Sequence, residues 1–425
     1  MKMKNPFYFG WIIVGISFIT LALTYGIWYS FAVFFVVLLK EFGWSRSLTA
    51  GAFSIFVIFH NLIGPFVGGM VDHFGPRRVI LSGALFLGVG LILCSFIQTW
   101  WQFYIFFGVI TAIGVGFTGW VAHTTIIQNW FKVKRGLAIG IISSGIGVGI
   151  LICVPFFQLL ITQVGWRMTY FIMGVFIPLA IGSMAVAFLG RSPQSPIPQP
   201  LDQEIPQEMV KDPFVVHREW ASQSWTVRRA ITTKPFWLLC LLNLISNFMT
   251  QSIFTHHVAF FVDHGFKYLL VSYIIGMIGL VSIGGKILWG VLSDQIGREL
   301  TYTIGLSCFI CGMIILITYS RLPLPTLPYL YAFFFSLGYA VTAALPALIT
   351  ADFFEGKAYG SIFGTLTILN GVGSALGAWF AGFLYDQMGS YVPTFFIMIL
   401  SALFSCFIIW WAAPRKIRRV PGKSI

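Results

Sequence analysis

The chain has 425 residues, of which 58% are hydrophobic, 17% aromatic and only 9% charged, and its 26 Lys and Arg against 13 Asp and Glu give a formal net charge of +13. A soluble domain is about 25% charged, so a water-soluble globular fold is excluded, and the aromatic share excludes disorder. What remains is a chain whose solvent is lipid, where only helices and closed barrels satisfy the backbone.

The apolar runs are continuous and about 20 residues or longer, which is the length of a spanning helix and not of a barrel strand. In chain order the first run, 10–36, follows Lys2 and Lys4. It is too long for a signal-peptide core and no small-residue cleavage site follows, so it reads as a retained span. Polar or turn-rich breaks then set off 49–71, 79–97, 102–125, 136–160 and 168–189, and later 236–261, 269–292, 301–319, 327–350, 359–384 and 392–412. The expectation is an all-α polytopic membrane protein with twelve transmembrane helices. Its parts are a six-helix bundle (1–190), a hydrophilic linker (191–234) rich in proline from Pro193 to Pro206, and a second six-helix bundle with a basic tail (235–425).

With both termini on the cytoplasmic side, 20 of the 26 Lys and Arg fall on that side, 5 fall opposite, and Lys286 is left inside a span. This bias follows the positive-inside rule. The basic charge therefore points to topology and contact with anionic lipid, not to nucleic acid. The six cysteines lie in apolar runs, and Cys308 and Cys311, though spaced as CxxC, have no second ligand pair nearby, so they read as small hydrophobes with no metal or cofactor implied. No nucleophile–base set suggests an enzyme.

Two loops repeat. Gly68…Asp72…Gly75-Pro76-Arg77-Arg78 and Gly290…Asp294…Gly297-Arg298 both fit G-x3-D-x2-G with basic residues behind, 222 positions apart. Gly136, Gly140 and Gly149 match Gly360, Gly364 and Gly373, and Gly165 matches Gly389, at a shift of 224. One period explains all of these, as parallel duplication of a six-helix unit does. In each loop a helix is expected to end at the first glycine. Asp72 or Asp294 then sits near the N-terminus of the next helix, where the dipole favours it, with Arg77, Arg78 or Arg298 behind it as a charged gate. A plain tight turn is the alternative for one copy.

Six plus six spans, the linker and the duplicated loop resemble the major facilitator superfamily. The resemblance implies alternating access, with the halves rocking about a site near the bilayer midplane.

The membrane interior holds little charge. All thirteen carboxylates fall at span ends, in loops or in the linker. Carriers of cationic drugs and sugar–proton symporters usually place an acid in the cavity, so both lose weight. Lys286 lies eight residues before Asp294, about 12 Å deep, where an unpaired ammonium costs several kcal/mol. It reads as the fixed charge that attracts an anion, or else as a neutral or carbonyl-bonded lysine.

Thr24-Tyr25-Gly26-Ile27-Trp28-Tyr29-Ser30-Phe31-Ala32-Val33-Phe34-Phe35 and Phe42-Gly43-Trp44-Ser45-Arg46 resemble the monocarboxylate transporters, Trp130-Phe131…Arg135-Gly136-Leu137-Ala138-Ile139-Gly140 resembles that family and the related oxalate:formate antiporters, and His257…Asp263-His264-Gly265-Phe266 resembles the span-seven end of their bacterial members. In that resemblance Lys286 falls where these families keep a substrate-binding arginine. There are departures. Tyr29 stands where animal members have a span-one lysine, Ser282 where they keep an acid, and the eleventh span offers only Asn370 and Trp379 where oxalate carriers have a second cation. One cation suits one negative charge, so a small monocarboxylate is favoured over a dicarboxylate.

Around Lys286, Tyr25 and Tyr29 share a face of span one as hydrogen-bond donors or packing rings. His123 is a substrate or proton partner, or structural. His60 and Asn61 are placed along the outer cavity, and His256 and His257 at an outer gate or the interface. Asn243, Asn247 and Gln251 form one polar stripe expected to face the cavity. The expected function is transport of a lactate-, pyruvate- or formate-like anion by a monomeric carrier in the cell inner membrane. Proton symport, exchange and uniport stay open. Export of amphipathic or aromatic compounds is the alternative, and a non-transporting sensor lacks a signalling domain.

Overall fold

The computed structural model describes residues 6–131, 135–189, 215–221, 223–354 and 359–418. Lys2, Lys4, Lys132, Lys134, Lys357, most of the linker with Pro193 to Pro206, and the side chains of Asp72 and Arg135 lie outside the described set.

In hydrocarbon each backbone N–H must find a carbonyl within its own segment, and the described residues are almost all helical. The first spans are α1 (Pro6–Phe42), α2 (Arg46–Phe74) and α3 (Pro76–Cys94). A fourth, α4, is assembled from Trp100–Phe103, the π-helical Tyr104–Thr111, Ala112–Thr118 and Trp120–Trp130. The stretch Arg135–Phe188 is too long for one crossing of a ~30 Å core. It turns at Gly165, whose φ is 81°, giving α5 (135–164) and α6 (166–188). Then follow α7 (Lys234–Asp263), α8 (Tyr268–Ile296), α9 (Arg298–Arg321), α10 (Leu327–Phe353), α11 (Tyr359–Met388) and α12 (Val392–Ala412). Among the described residues eleven continuous stretches have the length and hydropathy to cross a membrane, and the break at Gly165 makes them twelve spans in two bundles of six.

The duplication is visible in the backbone. Among the described residues six glycines have positive φ, and they pair across the halves: Gly43 with Gly265, Gly75 with Gly297, and Gly165 with Gly389. Each closes the equivalent turn in a conformation that a Cβ disfavours. The helix crossings repeat as well. A Cβ at Gly149 would strike the Ala22 carbonyl of α1, and one at Gly373 would strike the Leu244 carbonyl of α7.

The duplicated loop differs from its expected form. Each helix runs through the aspartate and stops only at the second glycine, Gly75 or Gly297. Asp72 and Asp294 thus belong to the last turns of α2 and α8 and precede the next helix. Arg298 bridges back to Asp294 (Nη1···Oδ1 2.6 Å) and across to Asp352 at the end of α10 (Nε···Oδ2 2.9 Å), so this charge cluster ties α8, α9 and α10 within one half. Arg77 and Arg78 at the start of α3 are exposed.

The end of the linker returns to the second half. Val216 and His217 donate backbone N–H bonds to the Ile417 carbonyl, and Trp220 Nε1 donates to Phe353 O at 2.7 Å. The halves themselves meet along α2–α11, α5–α8 and α1–α7.

Candidate functional site

On α8, Gly276, Gly279 and Ile283 face α5: Gly279 approaches Gly147 O and Ile150, and Gly147 approaches Ile283. Helical spacing puts residue 286 on the same stripe, one turn beyond the last contact and ten residues, about 15 Å, from the end of α8. Lys286 is half-buried there. Its Nζ lies 5.4 Å from the centroid of the Tyr339 ring on α10. Among the described residues no carboxylate pairs with it.

The Tyr339 hydroxyl in turn meets the Tyr29 hydroxyl of α1 at 2.8 Å. Phe254 of α7 packs on both rings, with centroids 4.9 Å from each. Tyr25 is one turn before Tyr29 on α1, its ring centroid 5.9 Å from that of Trp28. The structure therefore brings Lys286 and Tyr29 together from opposite halves, with Tyr339 as the link. A π face holds an ammonium without neutralising it, so the charge stays available to an anion while the phenols offer donors.

Two further residues follow from geometry. The α5–α8 contacts run antiparallel, Leu151 near Gly276 and Gly147 near Ile283, so the register places Ser143 and Ser144 opposite Lys286. Both are half-buried. Two adjacent hydroxyls before Gly145 were a signal in the sequence, masked by the glycine pattern around them.

The other expected residues lie elsewhere. His123 is fully buried, with Nδ1 2.9 Å from Ser17 Oγ. Ser17 is twelve residues before Tyr29, about 18 Å along α1, and among the described residues no contact joins His123 to Lys286. Asn243 and Gln251 are buried, and Asn243 spends its amide N–H on Leu239 O of its own helix. Of that polar stripe only Asn247 is half-exposed, and it donates to Asn243 O at 2.9 Å. Asn370 is half-buried at the α2–α11 crossing, its Oδ1 enclosed without a partner among the described residues. Trp379 is 42% exposed on the periphery.

On the face opposite the termini the halves are latched. Arg46 of α2 pairs with Asp263 at the end of α7 (Nη2···Oδ2 2.6 Å) and donates to the Tyr391 hydroxyl (2.6 Å), with its guanidinium 3.6 Å from the Tyr385 ring centroid. Asp386 accepts the backbone N–H groups of Arg46 and Ser47 at 2.9 and 2.8 Å, capping the N-terminus of α2 from the other half. His256 Nε2 reaches Ala378 O at 2.8 Å, so it carries the proton, and Nδ1 accepts from Tyr391 at 2.9 Å. Burial pushes the Tyr391 hydroxyl above its usual range, against the pull of Arg46, so it remains a protonated donor. Further in, Ser54 Oγ donates to Ala375 O at 2.7 Å. Among the described residues, every hydrogen bond between the halves lies at or outward of the Tyr29–Tyr339 pair.

Comparison with known proteins agrees with this architecture. The family profile of the Major Facilitator Superfamily matches residues 17–347 and 286–424. Monocarboxylate transporter 12 of Homo sapiens is 26% identical, covering 97% of this chain and 81% of its own length. Monocarboxylate transporter 13 of Bos taurus is 23% identical, covering 91% and 85%. The uncharacterized MFS-type transporter YcxA of Bacillus subtilis (strain 168) is 22% identical, covering 85% of each chain. Among solved structures, a bacterial homolog to the human lysosomal transporter Spinster superposes with a TM-score of 0.68 at 15% identity over 96% of both chains.

Proposed function

The chain belongs to the Major Facilitator Superfamily, and from that premise we propose that it carries a small organic monocarboxylate, of the lactate, pyruvate or formate kind, across the cell inner membrane by alternating access. The observation that carries this reading is Lys286. An ammonium inside a span costs about 3 kcal/mol or more, and here no acid offsets that cost among the described residues. It stands on the face where the halves part, against a tyrosine pair that joins them.

A single negative charge completes this arrangement. The carboxylate accepts from Nζ and from a phenol, and the Tyr29–Tyr339 bond between the halves gives way to bonds through the substrate. Binding thereby couples to the contact that must break when the halves rock. A lysine grips as a point charge, without the two-pronged geometry of arginine, which suits short acids of varied shape. Relatives named as monocarboxylate transporters at about a quarter identity support the substrate class. The basic residues on the face of the termini support a cytoplasmic location for that face, and the carrier works as a monomer.

Lys286→Gln tests the reading. Saturable carboxylate uptake into proteoliposomes is lost while the purified variant keeps its helical circular dichroism and elution volume. Unchanged uptake rejects the proposal. Absence of saturable uptake by the unsubstituted protein favours export of amphipathic or aromatic compounds instead, a reading that rests on the ring wall of Tyr29, Phe254, Phe335 and Tyr339.

A further inference from the structure

The outer latch contains a group that can change its charge near neutral pH. His256 on α7 is 3% exposed, and an imidazole reached by water titrates between about pH 5 and 8. The ring is enclosed from both halves. From its own half, Ala378 O of α11 lies 2.8 Å from Nε2 and the Tyr391 hydroxyl 2.9 Å from Nδ1. From the first half, Phe35 of α1 meets the ring edge to face, with centroids 5.0 Å apart, and Arg46 of α2 donates to Tyr391 at 2.6 Å. Parting of the halves takes Phe35 and Arg46 away and lets water reach the imidazole.

With the imidazole neutral, the hydrogen bonds form a directed chain. Arg46 Nη1 donates to Tyr391, Tyr391 donates to Nδ1, and Nε2 donates to Ala378 O. A proton on Nδ1 turns that acceptor into a donor. The Tyr391 oxygen then faces two cationic donors, and its own proton has no acceptor among the described residues. The carboxylates nearby are already engaged. Asp263 pairs with the Arg46 guanidinium at 2.6 Å, and Asp386 accepts the backbone N–H groups of Arg46 and Ser47. Tyr385 of α11 stacks on the Arg46 guanidinium, and Tyr331 of α10 bonds to the neighbouring His257 at 3.0 Å. Lys40 and Glu41 at the end of α1 and Lys267 before α8 are exposed, and α12 carries no charged residue.

We propose that His256 is the proton-binding site of the outer latch. Neutral, it completes the bond chain that holds the halves together. Protonated, it favours the state open on the face opposite the termini. The closed state meets an imidazolium with burial, with a lost acceptor for Tyr391 and with the Arg46 charge beyond it, whereas the open state hydrates it. A ligand that binds one of two states better shifts the population toward that state, and here the ligand is the proton. Acid on the outer face therefore opens the latch. The device is independent of the substrate, since it needs only that the halves part.

A Ser54→Cys thiol sits behind the latch, where Ser54 Oγ bonds to Ala375 O at 2.7 Å. Its labelling by a membrane-impermeant maleimide from the outer face reports opening, after subtraction of the labelling of the same protein without Ser54→Cys. Acid also slows the maleimide reaction itself, so each rate is divided by that of a small free thiol at the same pH. From about pH 8 to about pH 5.5 the divided rate should rise about tenfold, as one proton bound only in the open state supplies one unit below the midpoint of an ordinary imidazole. His256→Gln keeps an acceptor for Tyr391 and a donor for Ala378 O but takes up no proton, so its divided rate should change by less than about twofold. His256→Asn offers the same two groups and carries the comparison if the glutamine variant does not fold. A flat profile in the protein that keeps His256 overturns the proposal. An equal rise in either substituted protein overturns it too, and assigns the titration to Asp263 or Asp386.

Discussion

At the scale of the residue, Tyr339 does two things that separate substitutions resolve. Its ring faces the Lys286 ammonium at 5.4 Å and its hydroxyl bonds to Tyr29 at 2.8 Å. Tyr339→Phe keeps the ring and removes a phenol that donates to the bound carboxylate, a change of about 1 kcal/mol, so carboxylate affinity should fall about fivefold. Tyr339→Leu removes both. A cation–π contact in a desolvated site is worth about 2 kcal/mol, so the fall should exceed about a hundredfold. Titration of each purified variant with the best-binding acid checks the order, and equal losses would mean that the ring does not position the ammonium. Lys286 itself was legible from the sequence, because a charge in an apolar run is an anomaly in any arrangement of the helices. The bond from Tyr339 to Tyr29 was not legible, because nothing in an aromatic-rich span pairs one tyrosine with another 310 positions away until the folded bundle sets them together. His123 shows the reverse case: a lone imidazole drew attention, and Ser17 accounts for one of its nitrogens.

At the scale of the element, lipid makes helices legible and leaves their ends obscure. The first span was expected at 10–36 and is found as Pro6–Phe42. Hydropathy marks the part of a helix in hydrocarbon, and the helix continues into the headgroup zone, where polar residues are tolerated. The aspartates of the duplicated loop were misplaced for the same reason, since the helix does not stop where the apolar run stops. The glycines carry a second kind of information that the sequence holds but does not sort. Gly373 and Gly364 look alike in the chain. A Cβ at Gly373 would strike the backbone of α7, whereas one at Gly364 meets nothing within 4 Å. Gly364→Ala should therefore be neutral or stabilising by up to about 1 kcal/mol, from helix propensity alone. Gly373→Ala should destabilise by about 2 kcal/mol or more, because α7 and α11 cannot close on an added methyl without a backbone shift. Thermal unfolding of the two variants in detergent decides this, and a similar melting temperature for both would mean that the α7–α11 crossing is slack.

At the scale of the whole molecule, the latch sets which face is closed, and it is drawn from chain positions that reveal nothing singly. Arg46 and Asp263 lie in stretches that carry the family resemblance, but nothing in the sequence joins them to each other or to Asp386 and Tyr391, and only the closed bundle brings the four to one place. The strongest member by geometry is Asp386. Its carboxylate takes two backbone N–H groups at the positive end of α2, so hydrogen bonding and the helix dipole act in the same direction. Hydrogen bonds to a charged group contribute about 1.5–3 kcal/mol each. Part of that is recovered when water solvates the freed N–H groups as the halves separate. A net loss of about 1.4 kcal/mol already shifts a two-state population tenfold. Asp386→Ala should therefore raise the fraction of molecules open on the face opposite the termini by about tenfold. Ser54 reports that opening, because its Oγ is bonded to Ala375 O at 2.7 Å behind the latch. In a Ser54→Cys background, a membrane-impermeant maleimide applied from that face should label the protein about ten times faster when Asp386→Ala is added. The same protein without Ser54→Cys measures any labelling of the native cysteines. Equal rates with and without Asp386 would show that the cap does not hold the face shut, and the closure would then rest on the apolar contacts of α2 with α11 and α1 with α7.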